Sequence, residues 1–102
     1  MSYKLEFSGR TLSRLEILSK SNPKLLSQIF RKTLSLRRNP YPQDYKELKN
    51  YTYEGLQGLR VDQGEYRIIY VVDELNHEVT IITIVNRNDD YKELKLFKQS
   101  DT

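Results

Sequence analysis

The sequence predicts an α+β domain. The expected architecture is a small antiparallel sheet with an N-terminal helix hairpin and a short C-terminal helix, in the order β-α-α-β-β-β-α. Three observations lead there. Residues 54–87 hold three consecutive strand candidates separated by short polar links that suit antiparallel hairpins. Residues 9–38 carry apolar side chains at helical spacing on both sides of a break at Ser21-Asn22-Pro23. The whole chain is 102 residues, the usual length of one domain, so residues 1–102 are expected to form a single unit around one modest core.

The elements follow in order. In "YKLEFS", apolar Tyr3, Leu5 and Phe7 alternate with polar Lys4, Glu6 and Ser8, the period of a half-buried strand. "GRTLSRLEILSKSN" places Leu12, Leu15 and either Ile17 or Leu18 on one helical face. Asn22 followed by Pro23 starts a second helix over 23–38, with Leu25, Leu26, Ile29, Phe30 and Leu34 expected to share a face. So short a break predicts two antiparallel helices. "RRNPYPQDYKELKN" reads as a loop, with residues 44–49 able to form one turn of helix. "EGLQGLRVD" is the weakest strand candidate because Gly55 and Gly58 loosen it, whereas "EYRIIYVVDE" and "EVTIITIVNR" are rich in Ile and Val. The first strand is expected to return and pair with these later ones. Asn88, Asp89 and Asp90 offer N-cap chemistry for a final helix over 88–99, with Tyr91, Leu94 and either Phe97 or Lys98 marking its face.

Composition removes several classes of function. There is no cysteine, hence no disulfide framework and no thiolate metal site, and one histidine cannot build a His-based metal cluster. No cofactor is implied. No apolar run approaches the ~20 residues of a membrane span, and "MSYKLEFSGR" lacks the apolar segment of a secretory signal, so the expected compartment is the cytoplasm. Seventeen Lys and Arg against fourteen Asp and Glu give a net charge of +3. That excess is mild; where the cations gather matters more. Eight tyrosines without a tryptophan suit wet interfaces and base stacking.

The cations form a candidate constellation. Arg60 lies near the end of one predicted strand and Arg67 near the start of the next, so the two flank one hairpin end. Arg87 ends the last strand, and Tyr91 follows four residues later. Lys46 and Lys49 precede them, spaced to share one side if their segment is helical. Such a cationic cleft with one aromatic platform suits a phosphodiester flanked by a base. RNA cleavage by its own 2′-hydroxyl needs no metal. It needs a proton acceptor, cations that stabilise charge gathering on phosphorus, and a donor for the leaving 5′-oxygen. Arginine binds phosphate through two parallel hydrogen bonds and stays charged.

Plainer roles stand beside these. Arg60 and Arg67 also read as partners of Glu65, Asp62 or Glu74, Arg87 as part of a solvated turn, and Tyr91 as a helix staple. Lys46 and Lys49 read as part of a mixed-charge face with Glu47. His77 sits in a hairpin turn, which favours a solvent-facing side chain over a catalytic one. Tyr66 and Tyr70 share the strand face opposite Arg67 and are expected in the core.

The segment "GLRVDQGEYRIIYVVDELNHEVTIITIVNRNDDY" resembles the C-terminal half of the RelE/ParE superfamily of bacterial toxins. The matching features are Arg60, Gly64-Glu65-Tyr66-Arg67, Ile68-Ile69-Tyr70, Arg87 and Tyr91, in order, with "LRRNPYPQDYKELKN" similar to the Asn-Pro loop upstream. The resemblance covers nearly the whole chain, and it implies a type II toxin–antitoxin toxin. In the RelE class it implies metal-independent cleavage of mRNA in the ribosomal A site; in the ParE class, poisoning of DNA gyrase. It further implies a cognate antitoxin partner, with operator DNA reached only through that antitoxin.

The positions favour the RelE class. Arg67 matches the phosphate-binding arginine, Arg87 the arginine ending the last strand, and Tyr91 the tyrosine that stacks on the cleaved nucleotide. Arg60 falls on one of a pair of strand lysines found in a RelE toxin; the other would fall on Gly58 and is absent. Lys46 or Lys49 is then the expected substitute for its charge. The C-terminal His-Tyr pair of the YoeB-like branch is absent too. The remaining alternatives are a gyrase poison without nuclease activity and a degenerate antitoxin-binding member.

Overall fold

The structure, a computed structural model, describes residues 2–88. Its elements are β1 (Lys4–Phe7), α1 (Gly9–Ser21), α2 (Pro23–Arg38), β2 (Lys46–Tyr53), β3 (Leu56–Gln63), β4 (Tyr66–Asp73) and β5 (Glu78–Asn86). The helix expected over 88–99 lies, from residue 89 on and so with Tyr91, outside the described residues.

The helix hairpin forms where the capping chemistry places it. Ser8 caps α1: its Oγ accepts from the Thr11 N–H at 3.1 Å. Asn22 caps α2, its Oδ1 accepting from the Leu25 N–H at 3.2 Å, with Pro23 opening the helix. Thr11 Oγ1 donates to the Ile81 carbonyl at 2.9 Å, fastening α1 to β5. Leu18 rather than Ile17 is the buried residue of α1. On α2, Ile29 and Leu36 are buried, whereas Phe30 and Leu34 stay largely exposed. The expected apolar stripe of α2 is thus wider than the face the sheet covers. Its outer members rest at the margin, where Phe30 stacks on Phe7 at 6.1 Å.

The sheet has five strands in the order β1-β5-β4-β3-β2. The three ladders among β2 to β5 are antiparallel, as the short links predict. The first strand does return, but it pairs with β5 in parallel, so the sheet is mixed rather than wholly antiparallel. A parallel neighbour needs a long crossover. Here the helix hairpin and three further strands supply it.

A second correction concerns residues 46–53. They form an edge strand, β2, not a loop with a helical turn. "KELKNYTY" is mostly polar because only one of its edges pairs and its charged side chains meet solvent, as is usual for a protected edge. Its apolar members, Leu48, Tyr51 and Tyr53, fold onto the sheet.

The sheet has two covered faces. Ile68, Tyr70 and Val72 of β4, with Leu59 and Val61 of β3 and Ile81 of β5, pack against the helices. Ile69 and Val71 face the other way, beneath Tyr51. Tyr66 and Tyr70 are on the helix side, as expected. Tyr70 is fully buried, and its hydroxyl donates to the carbonyl of buried Pro40 at 2.6 Å, anchoring the loop that leads into β2. Tyr70→Phe keeps the shape but leaves that carbonyl without its donor. The expected loss is about 1–2 kcal/mol of stability in a denaturant titration, with unchanged slope.

A second tie lies at the far end of β4. Tyr3 donates to the Glu74 carboxylate at 2.8 Å, and the Tyr41 hydroxyl donates to it as well. His77, exposed in its turn as expected, stacks on Tyr3 at 3.9 Å. Hydrogen bonds from Tyr41 and then Tyr3 hold the Glu74 carboxyl below its usual 4.5. Its folded pKa is lower than its unfolded one, so the stabilisation is complete above the unfolded value. It is lost as pH falls through the folded value. Glu74→Gln should therefore flatten the acid limb of a stability–pH profile while changing the alkaline limb little. Identical acid limbs in the two proteins would contradict this.

Candidate functional site

Strand alternation sorts the cations. Ile68 and Tyr70 point to the helices, so Arg67 shares the opposite face with Ile69 and Val71. Leu59 and Val61 likewise put Arg60 and Asp62 on that outer face. The register then brings side chains together: Asp62 is directly opposite Arg67, and Lys46 is directly opposite Arg60. Gly64, at φ +62, takes the left-handed conformation of the two-residue turn between β3 and β4, which fixes this register.

Arg67 and Arg60 meet through Asp62. Asp62 Oδ1 accepts a hydrogen bond from Arg60 Nη1 at 3.3 Å and lies 3.4 Å from Arg67 Nε, a charge contact without hydrogen-bond geometry. Of the three carboxylates that read as partners for these arginines, Asp62 takes the place, while Glu74 is bound to tyrosines at the other end of β4. Both arginine side chains are about one-fifth exposed (20% and 22%), so most of each stem is covered and the guanidinium positions are constrained.

Arg87 directly follows β5. Its N–H donates to the Glu65 carbonyl at 2.9 Å, which closes the sheet end beside the β3–β4 turn. A cleft of about 290 Å³ opens there, lined by Glu65, Arg67, Asn86, Arg87 and Asn88. Arg67 therefore borders both the cleft and the Asp62 pair. Two guanidiniums lining one cleft can together bind an oxyanion. Among the described residues, no three His, Cys, Asp or Glu side chains gather as a metal site would require.

The structure brings together Arg60, Arg67 and Lys46 along one face and Arg67 and Arg87 around one cleft. It does not join Lys46 and Lys49 by helical spacing, because their segment is a strand. Lys49 is exposed in the irregular stretch between Glu47 and Thr52. Tyr91 lies outside the described residues.

The glycine at 58 also has a local cause. A Cβ there would sit 2.3 Å from Tyr51 Cδ1, well inside contact distance. Tyr51, 3% exposed, lies across Gly58 and occupies the space that a side chain on β3 would need. The second strand cation is thus replaced by an aromatic lid from β2. Tyr51 is the site feature not foreseen from the sequence, whereas Asp62 was one of three partners left open for the arginines. The pairing of Asp62 with Arg67 across a "DQGEYR" hairpin was open to discovery by counting register from the two-residue turn. The placement of Tyr51 was not, because it depends on the bulge in β2.

No family model matches the chain. The RelE4 toxin candidate of Methanocaldococcus jannaschii is 28% identical over 96 residues, covering 94% of this chain and 98% of that protein. The chain is RelE-like. Solved RelE structures share its fold. A chain of the archaeal RelE–RelB complex from Pyrococcus horikoshii matches with a TM-score of 0.68 at 22% identity, over 85% of this chain and 97% of that one. A mutant of the E. coli toxin RelE in the free state matches with a TM-score of 0.68 at 18% identity, over 98% and 97% of the two chains. The RelE-like α+β fold expected from the sequence is thus the fold observed. Among the described residues no helix is long and apolar enough to cross a membrane.

Proposed function

We infer that this RelE-like chain is the toxin of a type II toxin–antitoxin pair and that it cuts mRNA on the ribosome, in the cytoplasm. The observation that carries the reading is the cleft bordered by Arg67 and Arg87, with Arg60 and Lys46 along the adjoining face. In this reaction the substrate's 2′-oxygen attacks the adjacent phosphorus. The O2′–P bond forms, the P–O5′ bond breaks, and the products are a cyclic phosphate and a 5′-hydroxyl. The 2′-hydroxyl proton leaves to a base, and the 5′-oxygen gains one. Arg67 and Arg87 stabilise the charge on the equatorial oxygens, and Arg60 and Lys46 hold the neighbouring backbone. Tyr91 stacks the base, and Lys49 extends the cationic edge. Arginine at position 60 stabilises charge but is a poor proton acceptor, since it does not give up its own proton near neutral pH.

The partner in the cell is a cognate antitoxin. The archaeal neighbour was solved as a RelE–RelB complex, which supports this. Its simplest mode of neutralisation is to cover the arginine cleft with an acidic segment or to displace the chain beyond residue 88.

The test is brief induction of the chain in a bacterial host, with mapping of mRNA 5′ ends on and off ribosomes. New ends at consistent codon positions are expected. Growth arrest with unchanged ends, together with DNA-damage signalling, would move the chain to the gyrase-poison class. Undisturbed growth would mark a degenerate member.

A further inference from the structure

We propose that Asp62 is an internal counter-anion, hydrogen-bonded to Arg60 and ion-paired with Arg67, so that a phosphodiester approaching these two arginines must compete with its carboxylate. The inference rests on the phosphate-binding reading of this site and adds an autoinhibitory contact to it.

One carboxylate oxygen, Asp62 Oδ1, approaches both arginines, at 3.3 Å from Arg60 Nη1 and 3.4 Å from Arg67 Nε. The backbone imposes the arrangement. Asp62 is registered opposite Arg67 across the β3–β4 ladder, and strand alternation puts it on the same face as Arg60, two residues before it. Carboxylate and phosphate present similar acceptor geometry to a guanidinium, so they compete for the Arg60 Nη1 donor directly and for Arg67 through its charge. While Asp62 bridges the arginines, an approaching phosphate also meets a like charge close by. The Asp62 side chain is 39% exposed, about twice as open as either arginine. It therefore has solvent into which to swing, while the better-covered guanidiniums stay in place to receive the ligand. The Arg67–Arg87 cleft lies beyond this pair, so Arg67 is the residue shared between latch and cleft.

The probe is a short fluorescent single-stranded RNA with 2′-O-methyl riboses, which cannot be cleaved, read by anisotropy against the purified chain. Asp62→Asn should bind it about fivefold more tightly than wild type, the effect of a part-exposed ion pair. Asp62→Glu should stay near wild type. The gain from Asp62→Asn should vanish in an Arg67→Ala background, because the competition is then gone. Binding by Asp62→Asn where wild type shows none would support the proposal equally. Wild-type binding that is lost in Arg67→Ala, with no gain in Asp62→Asn, overturns the proposal and leaves the phosphate reading intact. The same holds if Asp62→Asn abolishes cleavage with unchanged affinity, which would make Asp62 the proton acceptor. Absence of binding by every variant overturns both. Folding is checked by circular dichroism. Should Asp62→Asn not fold, Asp62→Ser removes the same charge and is scored by the same outcomes.

Discussion

Arg67→Ala is expected to lower message cleavage by about 10²–10³-fold, and Arg87→Ala by a similar factor. Each replacement removes one of the two guanidiniums that line a single cleft. The loss should fall mainly on the chemical step, because charge on the phosphate oxygens rises in the transition state. Arg67→Lys keeps the charge but lacks the planar fork, so it should recover only part of the rate. Stability should change little, by about 1 kcal/mol or less, since the Arg67–Asp62 pair is partly exposed. The measurement is the density of new mRNA 5′ ends after brief induction, at matched protein levels shown by immunoblot. Cleavage that persists undiminished in both variants would remove the arginines from the mechanism.

Gly58→Lys is expected to destabilise the fold rather than restore a missing catalytic cation. The new Cβ would lie 2.3 Å from Tyr51 Cδ1 and 3.2 Å from the Tyr51 carbonyl oxygen, so both ring and edge strand must shift. Overpacking of this kind costs about 1–3 kcal/mol. In a domain of this size each lost kcal/mol lowers Tm by about 4–8 °C. The decisive comparison adds Tyr51→Ala. That change alone is costly, because Tyr51 is a buried member of the outer core with Ile69, Val71 and Ile82. With the ring gone the lysine has room, so the double variant should be more stable than the sum of the two losses predicts. Thermal melting of the four proteins gives the coupling. Strict additivity would show that the ring does not exclude a side chain at 58.

Much of this molecule was legible along the chain, for reasons that particular residues make plain. Asn22-Pro23 starts α2 because a capping amide and a fixed φ act locally. Tyr70 was readable as core and Arg67 as outward-facing because side chains alternate strictly along "YRIIYVVD". Residues 46–53 were not readable as a strand. An edge strand pairs on one side only, so its sequence need not be apolar, and "KELKNYTY" carries the charges of a surface segment. The parallel seating of β1 was hidden as well. Its partner β5 is more than seventy positions away, and no local pattern records which way two distant strands run.

The sequence by itself determined which side chains face the helices, where the turns fall, and that Arg60, Arg67 and Arg87 would collect at one end of a sheet. These follow from period two, from caps and from short links, all interactions between residues near in sequence. Only the tertiary structure decided what those arginines touch. The Asp62 carboxylate stands between Arg60 and Arg67 because the ladder register aligns it there. Tyr51 replaces a cation at Gly58 because a bulged edge strand folds its ring across β3. Both depend on distances between strands, which are set by the packing of the whole sheet and not by either strand's own sequence.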